Sequence, residues 1–141
     1  MKLYVFLVML AMHVIGDYTL QGILASMKQR MWWVDELIKT HGDEDGKLLS
    51  SIWHVYQNDF IPALLAHAYL WSFCIMLPIA IVMYIQGTLM TDALLLVGVF
   101  LGNLVVHAVT DHMKANIGAI NLVEDQIIHF VQILITAIVM L

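Results

Sequence analysis

Four long apolar segments restrict the folds that are open to this chain. A helix needs about twenty apolar residues to cross the hydrocarbon layer of a membrane. Stretches of that length run over residues 3–26, 62–85, 91–114 and 120–141. Hydrophobic residues make up 62% of the 141 residues and charged residues only 12%, which excludes an ordinary soluble domain. Because backbone groups inside a membrane must hydrogen-bond internally, we predict an all-α integral membrane protein, one domain over residues 1–141, folded as a four-helix bundle.

One sizeable polar stretch, residues 28–59, separates the first two predicted spans. Apolar residues recur in it at helical spacing, first around Trp32 and Trp33 and again around Trp53 and Tyr56. Tryptophan is enriched where a membrane meets water, so the pattern predicts two short amphipathic helices at the interface. The acidic turn between them is too short for a calcium loop of the helix-loop-helix kind and is predicted to be a solvated turn.

Basic residues are distributed unequally between the two ends of the predicted bundle. Lys2 is the single basic residue at one end, whereas the end with the first and third loops carries Lys28, Arg30, Lys39, Lys47 and Lys114. The positive-inside rule therefore predicts that these loops are cytoplasmic and that both termini are outside. The net charge of -5 offers no basic surface for nucleic acid, so nucleic acid is excluded as a partner.

Histidine and aspartate stand four residues apart three times inside the predicted spans. The pairs are His13 with Asp17, His107 with Asp111, and Asp125 with His129; the second span adds His67. A spacing of four places both side chains on one face of a helix. Ionisable groups in the hydrocarbon layer cost at least ~2.5–3.5 kcal/mol each, so they usually face the bundle interior and indicate function. Counted along the helices, all of them fall in the cytoplasmic half, so we expect one shared site.

Histidine and carboxylate together are ligands for zinc and similar transition metals. We therefore predict a site for a divalent metal, with zinc as the first choice and one or two ions. The predicted ligands are His13, Asp17, His67, His107, Asp125 and His129. Supporting hydrogen bonds to these ligands are predicted for Asn103, Asn121 and Gln132. The alternative is that each pair bonds internally and holds two helices together.

Four pieces of the sequence, one in each span, resemble a family of small bacterial and phage membrane proteins catalogued as domain of unknown function 3307. The pieces are His13-Val-Ile-Gly-Asp17-Tyr-Thr-Leu-Gln21, Leu65-Ala-His67-Ala, His107-Ala-Val-Thr-Asp111-His-Met-Lys114 and Asp125-Gln126-Ile-Ile-His129, in the family's order. The chain departs from the family in carrying a histidine after Asp111 and in its tryptophan-rich first loop. The resemblance implies a multi-pass protein of the bacterial inner (cytoplasmic) membrane, and it carries over no settled activity.

We predict from the residues a metal-dependent hydrolase that acts near the cytoplasmic leaflet on a lipid or lipid-linked phosphoester or amide. His13, His107 and His129 with Asp17 or Asp125 are the first choice of ligands, and Asp111 is predicted to accept a proton from activated water. Gln21 and Lys114 are predicted to bind substrate, the lysine through an anionic headgroup. Two alternatives stay open: a metal-ion or proton transporter, and a phage-type protein that binds a host partner. Membrane lipid is the predicted partner, and a homo-oligomer is a further possibility.

Overall fold

The apolar stretches form long helices, as backbone hydrogen bonding inside a membrane requires. The computed structural model describes residues 2–42 and 56–141. Its α-helices are α1 (Lys2–Val14), α2 (Leu24–Met27), α3 (Arg30–His41), α4 (Phe60–Gln86), α5 (Ala93–His112) and α6 (Leu122–Met140). Two π-helical turns, Ile15–Thr19 and Met113–Ile117, extend α1 and α5. Within the described residues the structure contains no strand, which confirms the predicted all-α class.

Within residues 2–42 and 56–141, four segments are long and apolar enough to cross a membrane: Lys2–Thr19, Phe60–Gln86, Ala93–Ile117 and Leu122–Met140. The last three correspond closely to the predicted spans. The first prediction, residues 3–26, extends too far, because the helix ends at Thr19 and the chain then turns at Gly22 with φ of 46°. A positive φ interrupts a right-handed helix, and glycine adopts it without a steric penalty. The residues that follow form the short α2 instead.

Helix α4 is the most buried of the four spans and packs between α1 and α5. At the end of the bundle that holds the chain termini the interior is apolar. Its fully or almost fully buried side chains are Val5, Met9, Ile75, Ile79, Met83 and Ile133. The buried ionisable residues lie toward the opposite end, next to α2 and α3. The bundle is therefore apolar inside at one end and polar inside at the other.

The polar stretch after the first span forms one of the two predicted amphipathic helices. Trp32 and Trp33 are half-buried on α3, and their rings meet edge to face with centroids 5.0 Å apart. The second predicted helix, around Trp53, lies outside the described residues, as does the acidic part of the turn before it.

The junction between α2 and α3 is fastened to the end of the third span. The Asn116 side chain donates to the Lys28 carbonyl at 3.0 Å and accepts from the Arg30 amide at 2.7 Å. The Arg30 guanidinium also lies 4.9 Å from the centre of the Phe60 ring. These contacts fix the backbone at Lys28 and direct its side chain into the bundle, where only 7% of it is exposed.

The orientation of the bundle in the membrane is testable with introduced cysteines in a Cys74→Ala background. We expect Asp35→Cys, on the exposed face of α3, to resist an impermeant thiol reagent in intact cells and to react after lysis. Thr91→Cys, in the loop at the opposite end, is the matched control and should react in intact cells. The reverse pattern would refute the cytoplasmic placement of the first loop.

Candidate metal centre

The seven ionisable residues predicted from their depth meet in one buried cluster. They come from all four spans: His13 and Asp17 from the first, His67 from the second, His107 and Asp111 from the third, Asp125 and His129 from the fourth. Five of them are 0% exposed, Asp17 is 4% exposed and His13 8%. Groups separated by up to 116 positions of sequence are therefore gathered into one polar core, and we name these seven residues the His/Asp cluster.

Local structure at the helix ends helps to aim these side chains. Asp17 lies in the π-helical turn that ends the first span, and such turns are frequent at functional sites. At the start of α6, Asn121 accepts from the amides of Val123 and Glu124, while the Glu124 carboxylate accepts from the Asn121 amide at 2.8 Å. This capping box fixes the first turn of the helix and thereby the position of Asp125. The exposed Asn121 side chain caps the helix, and none of its described hydrogen bonds reaches a predicted ligand.

Three groups of residues in the cluster offer ligand atoms within 4.8 Å of one another and could each hold a metal ion. The groups are Asp17 with His67 and His107, His107 with Asp111 and His129, and Asp17 with Asp125 and His129. A ring nitrogen has one lone pair and binds one ion, whereas the two oxygens of a carboxylate can serve two ions. The first and third groups share only Asp17, so both can be filled at once. The second group competes with both for a histidine.

Three pairs of ligand atoms in the first and third groups lie close to the separation expected for ligands of a common ion. His67 Nε2 lies 3.4 Å from Asp17 Oδ1 and 3.2 Å from His107 Nε2. His129 Nε2 lies 3.5 Å from Asp125 Oδ1. Two ligands at the 2.0–2.2 Å bond lengths of zinc in tetrahedral geometry are separated by about 3.3–3.6 Å.

Several buried atoms of the cluster have no hydrogen-bond partner among the described residues. Asp111 Oδ1, Asp125 Oδ1 and His129 Nε2 are such atoms, and the nitrogen lies 3.6 Å and 3.5 Å from the two oxygens. Leaving a buried polar atom unpaired costs about 1–3 kcal/mol, so such atoms are rare without a purpose. Asp125 Oδ1 and His129 Nε2 form a donor pair suited to a divalent cation, and Asp111 Oδ1 lies beside them.

Two lysines form ion pairs with carboxylates of the His/Asp cluster. Lys28 Nζ lies 2.6 Å from Asp111 Oδ2, and Lys114 Nζ lies 2.5 Å from Asp125 Oδ2 and 3.9 Å from Asp111 Oδ1. From the sequence, Lys28 counts only as a charge in the first loop, and Lys114 is predicted to meet a lipid headgroup. In the structure both ammonium groups point into the His/Asp cluster. The spacing of three between Asp111 and Lys114 was a signal for this contact, whereas Lys28 has no such neighbour in sequence.

His13 belongs to none of the three groups, and both of its ring nitrogens are hydrogen-bonded. Its Nδ1 accepts from Trp71 Nε1 at 2.8 Å, and its Nε2 lies 3.1 Å from Gln126 Oε1. Since an indole N–H only donates, Nε2 must carry the histidine proton and donate to the amide oxygen. The ligand role predicted for His13 stays a prediction, and these two hydrogen bonds suit a residue that orients Gln126.

Gln126 continues this chain of hydrogen bonds to two carboxylates. Its Nε2 donates to Asp17 Oδ2 at 2.9 Å and to Asp125 Oδ2 at 3.1 Å. Carboxylates only accept, so the direction of every bond from Trp71 onward is fixed at both ends. Sequence reasoning missed Trp71 and Gln126 as site residues. Trp71 follows His67 by four and Gln126 adjoins Asp125, and both positions were usable signals.

Asn103 and Gln132 form a separate polar group one turn beyond the cluster. Gln132 Nε2 donates to the side chain and the carbonyl of Asn103 at 2.8 Å and 2.7 Å, and Asn103 Nδ2 donates to Thr136 Oγ1 at 2.9 Å. Asn103 Nδ2 also contacts Met76 Sδ at 3.8 Å, so the described bonds of these residues join α5 to α6 and α4, and none reaches a predicted ligand. Gln21, predicted to bind substrate, is partly buried, and its Oε1 has no partner in the described part of the chain.

Replacing Trp71 with phenylalanine tests the hydrogen bond that Trp71 donates to His13. The ring can keep its stacking on His107, whose centroid lies 4.2 Å away, but the donor to His13 is lost. We expect the free energy of unfolding in detergent to fall by about 0.6–1.7 kcal/mol, the range for hydrogen bonds between membrane helices. Trp32→Phe, at a half-buried position on α3, is the control. Equal stability of the two variants would contradict the assigned series of hydrogen bonds from Trp71 through His13 to Gln126.

Comparison of the chain with models of protein families, with curated proteins and with solved structures finds no match. The resemblance drawn from the sequence stays a prediction. What the arrangement can do chemically follows from its donor atoms: it can bind divalent cations, hold a carboxylate next to them, and present two ammonium groups.

Proposed function

We propose that this chain is an intramembrane metal-dependent hydrolase of the bacterial inner membrane that acts on a lipid or lipid-linked substrate from the cytoplasmic side. Its ligands for two divalent ions are Asp17, His67, His107, Asp125 and His129, with zinc as the preferred metal. One observation carries the proposal. The two compatible ligand groups share only Asp17, while Asp111 lies beside both and is required by neither.

The chemistry of such a centre is divided between the ions and the protein. Two divalent ions held close together supply Lewis acidity and activate water for attack on an ester or amide. Asp111 supplies the base: Lys28 holds its Oδ2 at 2.6 Å, and Oδ1 keeps its capacity to accept a proton. The chain from Trp71 through His13 to Gln126 orients the carboxylates of Asp17 and Asp125. Ligands oriented by such partners bind metal about 10- to 100-fold more tightly than ligands without them.

The apolar end of the bundle favours a hydrolase over a transporter. A transporter needs a polar path through both leaflets. Val5, Met9, Ile75 and Ile79 fill the interior at the end opposite the His/Asp cluster, and none of them is more than 3% exposed. The His/Asp cluster therefore lies toward one end of the bundle while the interior of the other end is apolar, which supports a one-sided enzyme.

A hydrolysis assay tests the proposal. The purified protein in nanodiscs is offered lipids with a fluorogenic phosphoester or amide bond, with and without a chelator. We expect cleavage that the chelator abolishes and added zinc restores. Metal or proton flux in liposomes, without cleavage of any of these lipids, would contradict the proposal and support the transporter.

A further inference from the structure

Lys28 and Lys114, the two lysines paired with carboxylates of the cluster, indicate the chemical class of the substrate. We propose that Lys28 and Lys114 form an anion site for the phosphoryl group of the substrate, which makes the substrate a phosphate ester and not an amide. This inference rests on the proposed function, because the phosphoryl group is bound beside the metal ions.

The two ammonium groups flank one carboxylate. Lys28 Nζ contacts Asp111 Oδ2 at 2.6 Å, and Lys114 Nζ lies 3.9 Å from Asp111 Oδ1. An ammonium has three N–H donors, so each lysine can bond a carboxylate and still donate to a second acceptor. A phosphoryl group next to Asp111 is therefore within reach of both cations and of the proposed base. Phosphate oxygens are the acceptors that form strong bonds with such donors.

The charge of the filled centre favours an anionic substrate. Three aspartates and two lysines leave the cluster with one negative charge when its histidines are neutral. Two divalent ions convert this into three positive charges in a medium of low dielectric. An amide brings no charge to offset them, whereas a phosphate monoester brings about −1.5 to −2.

Counter-ion duty alone does not explain the lysines in a metal enzyme. Metal ions would neutralise the ligands Asp17 and Asp125 without a lysine, and each lysine in the cluster repels the ions. A buried cation is costly unless something compensates for its desolvation. An anion that arrives after the metal provides that compensation, because it interacts with both ions and both lysines.

The two lysines differ in their exposure to the surface of the bundle. Lys28 lies at the junction of α2 and α3 that Asn116 fastens over the end of the bundle, and Lys114 lies in the π-helical turn that ends the third span. The Lys114 side chain is 23% exposed, whereas Asp111 and Asp125 beside it are 0% exposed. Lys114 therefore marks the accessible edge of the cluster, on the side of the first loop.

The test measures metal and anion separately on the same protein. Zinc content is determined first, and calorimetry then measures binding of inorganic phosphate to the zinc-loaded protein. We expect Lys28→Met and Lys114→Met to raise the Kd for phosphate by about 10- to 100-fold, as loss of a charge-assisted hydrogen bond implies. Both variants should bind zinc at least as well as the unchanged protein. Lys39→Met is the matched control, because Lys39 is an exposed lysine paired with Glu36 at 3.2 Å, and it should change neither quantity.

The same measurements distinguish failure of the anion site from failure of the proposed function. Phosphate binding that is equal in all variants, with zinc still bound, would overturn the anion site and leave the proposed function intact. Absence of bound zinc in the unchanged protein would overturn both. Lys28→Arg should retain phosphate binding, and Lys114→Met tests the site if Lys28→Met does not fold. Phosphatidic acid in nanodiscs and soluble glycerol phosphate, each compared with inorganic phosphate, show whether a lipid or a free ester is the better ligand; binding of none of the three would overturn the inference.

Discussion

Asp111→Asn is expected to lower turnover by about 10²–10⁴-fold while the protein keeps two metal ions per chain. Asparagine preserves the shape of the side chain but cannot accept the proton of the attacking water. Metal should remain, because the two compatible ligand groups do not include Asp111. Turnover is measured by lipid cleavage in nanodiscs and metal by elemental analysis of the same sample.

A double variant tests whether Asp111 serves only as the partner of Lys28 in an ion pair. Asp111→Asn leaves the Lys28 ammonium without its carboxylate, and an unpaired buried charge is destabilising by about 3–5 kcal/mol. Combining it with Lys28→Met removes that charge. The double variant should recover stability and stay inactive. Recovery of activity would show that Asp111 serves only to neutralise the lysine, and loss of metal in the single variant would show that it is a ligand.

His107→Ala is expected to lose at least one of the two ions and all measurable metal-dependent cleavage. His107 belongs to the group with Asp17 and His67, and its removal leaves that group with two ligands, too few to hold an ion tightly. The group with Asp125 and His129 is untouched, so up to one ion per chain can remain. Titration with zinc after removal of bound metal measures the number of sites directly.

His112→Ala is the matched control for this variant. His112 lies on the same helix, but its ring stacks on Phe60 at 5.6 Å and takes part in none of the ligand groups. Its replacement should leave two sites per chain. If His107→Ala binds as much zinc as His112→Ala does, the assignment of His107 as a ligand is wrong.

The sequence was sufficient to predict the helices and the meeting of the His/Asp pairs. Span length depends on the thickness of the hydrocarbon layer, and a spacing of four places two side chains on one face, so both features can be calculated along a single helix. The depth of His107 and of His129 followed from counting residues. The predicted first span is too long, because its apolar composition continues beyond Thr19. The positive φ at Gly22 interrupts the helix there, and composition does not reveal that angle.

The partners of the site residues were harder to predict, because they depend on contacts between helices. The sequence alone indicates a ligand role for His13. It does not reveal that Trp71, which is distant in sequence, donates a hydrogen bond to the His13 ring. Lys28 reaches Asp111 only because Asn116, on another span, fixes the backbone at Lys28. Periodicity identifies which face of a helix is polar, but it does not identify which side chain on another helix meets that face.

Elemental analysis of the protein, purified without added metal, is the most direct test of the central claim that the His/Asp cluster is a metal centre. We predict two divalent ions of the zinc class per chain, one for each of the groups that share Asp17. A protein that retains its fold but contains no stoichiometric metal, before and after incubation with zinc, would contradict the claim. The cluster would then be a network of hydrogen bonds and ion pairs that holds the four spans together.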